Sequence, residues 1–264
     1  MQTVNTLDML RNKLTALRAD GATIGLVPTM GALHEGHLTL MRQAKSTCDH
    51  VVASIFVNPT QFGPHEDLDA YPRQLADDSA MLVAEGVSLL WAPTVEEMYP
   101  DGFASSISVE GVSAEFCGAS RPGHFDGVAT VVCKLFNQVQ PDRAFFGEKD
   151  FQQLAVIRQM ARDLDLSAPL AANIIGVPTV REPDGLAMSS RNRYLSPENR
   201  QAAAILPKAM HQAISQITAG SPVAAVLQEF EQRLLDGGFD SIDYAALADA
   251  RSLAIVSAFD GTPA

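Results

Sequence analysis

Two histidines three residues apart, with a glycine between them, open the chemistry available to this chain. His34-Glu35-Gly36-His37 ends the run Val27-Pro28-Thr29-Met30-Gly31-Ala32-Leu33. Thr23–Val27 reads as a short buried strand, and Leu38, Leu40, Met41 and Ala44 recur at helical spacing. Both imidazoles therefore stand at or near a helix N-terminus, where unpaired backbone N–H groups favour an anion. Gly36 carries no side chain, so a ligand could approach the backbone between the rings. Such a turn suits phosphate, although a bare His-x-x-His is otherwise an ordinary surface pair.

Three further runs carry usable groups. Gln61, in Asn58-Pro59-Thr60-Gln61-Phe62-Gly63, offers a donor and an acceptor, which suits a substrate bearing a hydroxyl and a carboxylate. In Gly147-Glu148-Lys149-Asp150-Phe151-Gln152-Gln153, Gly147 permits close approach and Lys149 is a point charge for phosphate. Asp150 could accept a hydrogen bond from ribose or adenine, and Gln153 falls one helical turn after Lys149. Ser189-Ser190-Arg191 combines two hydroxyls with a permanent cation that can wrap a triphosphate. Plain alternatives stand beside each: a solvated amide, a capped helix start with a surface lysine, an ordinary surface loop. Arg121, in Arg121-Pro122-Gly123-His124, shapes a pocket wall or merely pairs with an acid.

The elements that must position these groups alternate. Helical faces are expected from Leu7 to Leu17, from His37 to Thr47, over 73–85, over 126–138 and from Lys149 to Asp163. Strands are expected at 23–27, 51–56, 87–92, 144–146 and 174–177, with a short one at Ile107–Val109. The segment 57–72 is irregular through its prolines and glycines. This pattern indicates an α/β, doubly wound, Rossmann-like parallel sheet, whose ligands sit beyond the C-terminal strand edges. The histidine turn, the Asn58–Gly63 loop and the Gly147–Asp150 turn all fall at such edges. Beyond about residue 180, Ser196-Pro197 and Ser221-Pro222 each start a helix, ended by Gly220 and by Gly237-Gly238, and 242–247 reads as a strand. The expected division is residues 1–178 as a nucleotide-binding domain and 179–264 as a smaller α+β C-terminal domain.

With 264 residues the chain can bury a substantial core. A net charge of −12, without a run of Lys or Arg, argues against a nucleic-acid or anionic-membrane surface. No stretch approaches the roughly 18 apolar residues of a membrane span. Cys48, Cys117 and Cys133 are scattered and form no Cys-x-x-Cys pair, which fits reduced thiols and a cytoplasmic location.

Pro28-Thr29-Met30-Gly31-x-Leu33-His34-x-Gly36-His37 resembles the first signature of the nucleotidyltransferase superfamily that contains class I aminoacyl-tRNA synthetases. In this full form it resembles the pantothenate synthetase (pantoate–β-alanine ligase) family. Ser54–Gly63 resembles that family's second signature, Gly147–Leu154 its third, and Asp184–Asn192 its fourth, with Arg191 where the synthetase form has lysines. The four appear in family order over roughly residues 1–200.

The resemblance implies an ATP-dependent ligase that joins pantoate to β-alanine through pantoyl adenylate, releasing AMP and pyrophosphate. ATP contacts would come from Met30, Gly31, Ala32, Leu33, His34, Glu35, Gly36 and His37. Gly147, Glu148, Lys149, Asp150, the Val180 backbone, Met188, Ser189, Ser190 and Arg191 would supply the rest. His34, His37 and Lys149 would be catalytic, and Gln61 and Gln153, with Asn58 nearby, would hold pantoate. Mg²⁺ would bridge phosphate oxygens without a dedicated protein cage, and the family implies a homodimer. The family pattern runs on past Asp260–Ala264, so the smaller domain, a lid over the site, is expected to be truncated at its end, either because the sequence is cut short there or because this member is a short one. Two rivals are a related nucleotidyltransferase, which would not need Gln61 and Gln153, and a non-catalytic nucleotide-binding module.

Overall fold

Hydrophobic residues in the strands alternate between two apolar clusters, one on each face of a single sheet. In the strand around Leu90, Leu89 and Trp91 enter one cluster and Leu90 the other; Ala144 and Phe146 are likewise divided from Phe145. The structure, a computed structural model, describes residues 1–64 and 66–261. His65, within the irregular loop, and the ending Thr262-Pro263-Ala264 lie outside the described residues.

The chain runs β1 (Gln2–Val4), α1 (Leu7–Leu17), β2 (Ile24–Thr29), α2 (Glu35–Lys45), β3 (His50–Ile55), α3 (Leu75–Ala84), β4 (Leu89–Trp91) and two single turns, α4 (Val95–Met98) and α5 (Cys117–Ser120). There follow α6 (His124–Val139), β5 (Arg143–Gly147), α7 (Phe151–Asp163), β6 (Ile174–Val177), α8 (Pro197–Ala203), α9 (Ile205–Thr218) and α10 (Val223–Asp236). All strand pairs are parallel, in the order β1-β4-β3-β2-β5-β6. Helices α1, α6 and α7 cover one face and α2 and α3 the other, which is the doubly wound arrangement. The winding reverses between β2 and β5, and a crevice opens beyond their C-terminal ends there. The turns after β2 and β5 carry His34–His37 and Lys149.

Several local expectations fail for identifiable reasons. β1 escapes the sequence pattern because it is three residues long and largely exposed, with Val4 alone buried. Ile107–Val109 forms no strand; the Ile107 N–H donates to Thr130 Oγ1 on α6 (2.9 Å) instead of to a sheet edge. The alanine-rich helix after Ser196 breaks at Ala204 into α8 and α9. Pro222, not Ser221, precedes α10, without a side-chain cap. Residues 242–247 form no strand, and the nearest pairing is an isolated bridge between Ala248 and Ile255.

Ser54 lies in β3 with no exposed surface. Its Oγ is the one buried side-chain polar atom without a hydrogen-bond partner among the described residues. A buried hydroxyl that loses its water bonds without replacement costs stability. Ser54→Ala is therefore expected to hold stability or raise it by about 1 kcal/mol in urea denaturation. A clear loss would show that the hydroxyl is engaged.

Candidate active site

The crevice at the sheet's reversal point is a cavity of about 250 Å³. One wall is apolar: Val128, Val131, Val132 and Leu135 from α6, with Phe56 and Phe146. The other walls are polar, from His34 and His37, Gln61, Lys149, Asp150, Gln153, and Ser189–Arg191. Four segments distant in sequence thus meet as the strand-edge argument requires.

The histidines cap their own helix. The Gly36 N–H donates to His34 Nδ1 (3.2 Å), and the His34 N–H donates to His37 Nδ1 (3.3 Å). A nitrogen that accepts cannot carry the proton, so both neutral rings hold it on Nε2. The ring centroids are 4.1 Å apart. Burial, then Lys149 and Arg193, push the His34 pKa below the usual imidazole value, against a smaller opposing pull from Asp150. Burial, then His34 and Lys149, push His37 down to about 3. At neutral pH the pair is two uncharged N–H donors.

Gly36 has a different use from the one its sequence context suggests. A Cβ there would lie 2.9 Å from His34 Cε1, so the space belongs to the first histidine's own ring. Gly127 plays a related part on α6, where a Cβ would lie 2.4 Å from Thr60 O. Its absence lets the Pro59–Gln61 turn rest directly on the helix and aims Gln61 at the cavity.

Asn58 lines the cavity, yet its amide is already committed. Nδ2 donates to Gln61 Oε1 and Gly127 O, both at 3.2 Å, and Oδ1 accepts from Tyr99 OH (2.8 Å) and Thr60 Oγ1 (3.0 Å). It therefore orients Gln61, whose Nε2 is left facing Met30 Sδ (3.0 Å), a weak acceptor that a ligand oxygen can outcompete. Gln153 lines the same space with no side-chain partner among the described residues.

The cations are paired. Lys149 Nζ meets Asp150 Oδ1 at 3.1 Å, and Arg191 makes a forked pair with Asp67 (2.8 and 3.0 Å) above the Tyr71 ring. Arg121 does pair with an acid, Glu66 (2.6 and 2.7 Å), and its Nη1 also donates to His124 Nε2 (3.1 Å). His124 Nδ1–H then donates to Gln61 O (2.8 Å), so this chain too ends on Gln61.

Of the residues expected at the site, Met30, His34, Gly36, His37, Asn58, Gln61, Gly147, Lys149, Asp150, Gln153, Val180, Met188, Ser189, Ser190 and Arg191 line the cavity. Gly31, Ala32, Leu33, Glu35 and Glu148 do not. Ala32 and Leu33 are buried, and Glu35 turns outward to pair with Arg42. The Glu148 side chain lies against Gly176 of β6. Sequence reasoning missed Asp78, a carboxylate on α3 with 1 % exposure behind the histidine turn. Nothing in Asp77-Asp78 marks the second acid as the buried one. It also left His124 without a role, although the Arg121–His124 run stood out.

A family model described as pantoate-beta-alanine ligase matches residues 2–261. The chain is 64 % identical over 264 residues to the pantothenate synthetase of Novosphingobium aromaticivorans, spanning 100 % of this chain and 92 % of that one. It is 59 % identical over 259 residues to that of Sphingopyxis alaskensis, spanning 98 % and 91 %. The crystal structure of pantothenate synthetase from Thermus thermophilus superposes with a TM-score of 0.91 at 50 % identity, over 98 % of this chain and 91 % of that one. That of pantoate-beta-alanine ligase from Francisella tularensis, complexed with beta-gamma ATP and beta-alanine, gives 0.79 at 36 % identity, over 90 % and 86 %.

The lowered imidazole values have a consequence for stability. Unfolding returns each ring to about 6.5, so below that pH the unfolded chain binds more protons and the fold loses stability. Stability is complete above about pH 6.5 and is lost as pH falls towards His37's folded value. Urea midpoints are expected to decline between about pH 6.5 and 4.5, before the carboxylates titrate. His37→Gln should flatten that decline; an unchanged slope would remove His37 as its source.

Proposed function

The chain belongs to the pantoate–β-alanine ligase family, and we propose how its residues carry out the reaction. It is a ligase that condenses pantoate with β-alanine at the expense of ATP, through pantoyl adenylate. A pantoate carboxylate oxygen attacks the α-phosphorus of ATP, and the bond to the pyrophosphate oxygen breaks. The amine of β-alanine then attacks the acyl carbon, AMP leaves with the electron pair of the acyl–oxygen bond, and the amine loses a proton.

The observation that carries the assignment of roles is that His34 and His37, each with its Nδ1 accepting a backbone N–H and its Nε2–H left over, line one cavity with Lys149. His34 and His37 donate to phosphate oxygens as charge moves onto them in the transition state. Lys149, Ser189 and Arg191 hold the triphosphate, with Arg191 exchanging the Asp67 carboxylate for phosphate oxygens. Gln61 and Gln153 hold the oxygens of pantoate, while the α6 valines face its dimethyl carbon. The backbone from Met30 to His37, Gly147–Asp150, Val180 and Met188 frame the nucleotide.

ATP enters as its magnesium complex in this reading. Among the described residues no group of three His, Cys, Asp or Glu is arranged to hold a metal. The ion's ligands would be phosphate oxygens and water, with Asp150 the carboxylate available on the cavity wall. Bound Mg²⁺ would neutralise phosphate charge. Residues 1–178 act as the substrate-binding domain and 179–264 as the lid; the separate apolar cluster of Ala213, Ile217, Val223 and Val226 supports that division. The working form is a cytoplasmic homodimer. Likeness to the family supports the dimer; three free thiols support the compartment, and no described helix is long and apolar enough to cross a membrane.

Labelled pyrophosphate is expected to exchange into ATP only when pantoate is present, with β-alanine omitted. His37→Ala should fold yet lose on the order of 10²–10³ in that rate. Pantoate-independent exchange would favour another nucleotidyltransferase, and a folded His37→Ala variant with near-normal exchange would take that ring out of the mechanism.

A further inference from the structure

The turn between β2 and the histidines runs through two left-handed residues, Gly31 (φ +81°) and Ala32 (φ +51°). Glycine adopts that conformation freely; alanine does not. Ala32 is gripped from both sides. Its N–H donates to Asp78 Oδ2 (2.9 Å), and the next N–H, of Leu33, donates to Asp78 Oδ1 (2.8 Å). Its carbonyl accepts from Ser190 Oγ (2.9 Å), which arrives from 158 residues further along the chain. Asp78 is buried and does not line the cavity, and Gln74 Nε2 donates to its Oδ1 (3.2 Å). Ser190 is buried as well.

A negative charge close behind an anion site opposes the anion, so Asp78 needs a compensating role. The geometry supplies one. A carboxylate accepts two adjacent backbone N–H groups at once, one on each oxygen, whereas an amide has a single acceptor oxygen. Ser190, for its part, has one proton, and that proton is spent on Ala32 O.

We propose that Asp78 and Ser190 form a two-sided clamp that holds Ala32 in its left-handed conformation and thereby aims His34 and His37. Asp78 and Ser190 are positioning residues, and Ser189, not Ser190, is the serine that donates to phosphate. Because Ser190 belongs to the segment carrying Arg191, the clamp also joins the cation to the histidine turn. The inference rests on the reading of the two histidines as adenylation donors.

The test is pantoate-dependent pyrophosphate exchange and full turnover for D78N, S190A, the double variant, and each with A32G added. Active sites are counted by the burst of pantoyl adenylate. D78N is expected to lower kcat by about 10- to 100-fold per active site. KM for pantoate should stay within about twofold, because Gln61 and Gln153 stand on other elements. S190A should lower kcat in the same sense, and the double variant should be no worse than D78N within about threefold, since both break one turn. A32G, which needs no clamp for a left-handed φ, should return at least about fivefold of the lost kcat. Additive losses, an S190A defect confined to KM for ATP, or no rescue by A32G would overturn the clamp. If D78N does not fold, S190A with and without A32G decides the matter. A wild-type enzyme without exchange would instead sink the assignment of the histidines, a result distinct from any of these.

Discussion

One buried carboxylate shared by two consecutive backbone N–H groups governs the geometry of the site. A single left-handed alanine costs about 1–2 kcal/mol, and the chain must adopt one to pass from β2 into α2 at this angle. Charge-assisted bonds of 2.8 and 2.9 Å to Asp78 are strong enough to offset it. Asp78 is itself buried on a packed element: α3 rests on the sheet through Leu82, which lies in the same apolar cluster as Val27, Ala53 and Leu90. The position of two imidazoles is thus set by the rigid layer behind them. Misplacing reacting groups by even about 1 Å is costly in rate, so the rigidity has chemical value.

The polar groups of the site divide into those consumed by the fold and those left for a ligand. Asn58, Ser190, Arg121 and the N–H groups of Ala32 and Leu33 are consumed; their partners are all internal. Among the described residues the histidine Nε2–H groups and the Gln153 amide are left, and Gln61 Nε2 holds only a thioether. Lys149 and Arg191 fall between, paired with carboxylates, Asp150 and Asp67, that phosphate oxygens can replace. The single Lys149–Asp150 contact is half-exposed and weak in water, so exchanging it costs little, whereas the forked Arg191–Asp67 pair gives way only to an equally well-matched phosphate. A site filled with groups already matched internally is stable without ligand; the few unmatched ones define what it accepts.

The sequence made the sheet and the converging turns readable because parallel strands buried on both faces leave continuous apolar runs, as in Val51–Phe56, and glycines mark the turns. The histidines, Lys149, Gln61 and Gln153 stood out because their elements begin at strand ends. What stayed hidden depended on contacts between distant segments. Asp77 and Asp78 are equivalent letters until α3 is laid on the sheet, and one is then buried. Ser189 and Ser190 are likewise indistinguishable until the second meets Ala32 O. Gly36 was readable as special, but its reason was not, because the group filling the space is two residues away on the same turn. Short elements such as β1, and the residues after 238, lack a period long enough to read.

The protonation state of the histidines ties the geometry to the reaction. A chain of net charge −12 that binds a polyanion would gain affinity from cationic imidazoles. Burial and Lys149 instead keep both rings neutral. A cation already binds the ground-state triphosphate strongly, and that part of its attraction tightens binding without raising kcat. A neutral N–H, aimed by a fixed Nδ1 bond and shielded from water, is directional, and its bond strengthens as charge builds on the oxygen it faces. In the proposed reaction Lys149 and Arg191 would provide attachment, and the rings discrimination between substrate and transition state. That division works only if the rings cannot turn, which returns the mechanism to the reciprocal cap of His34 and His37 and to the carboxylate that holds the turn beneath them.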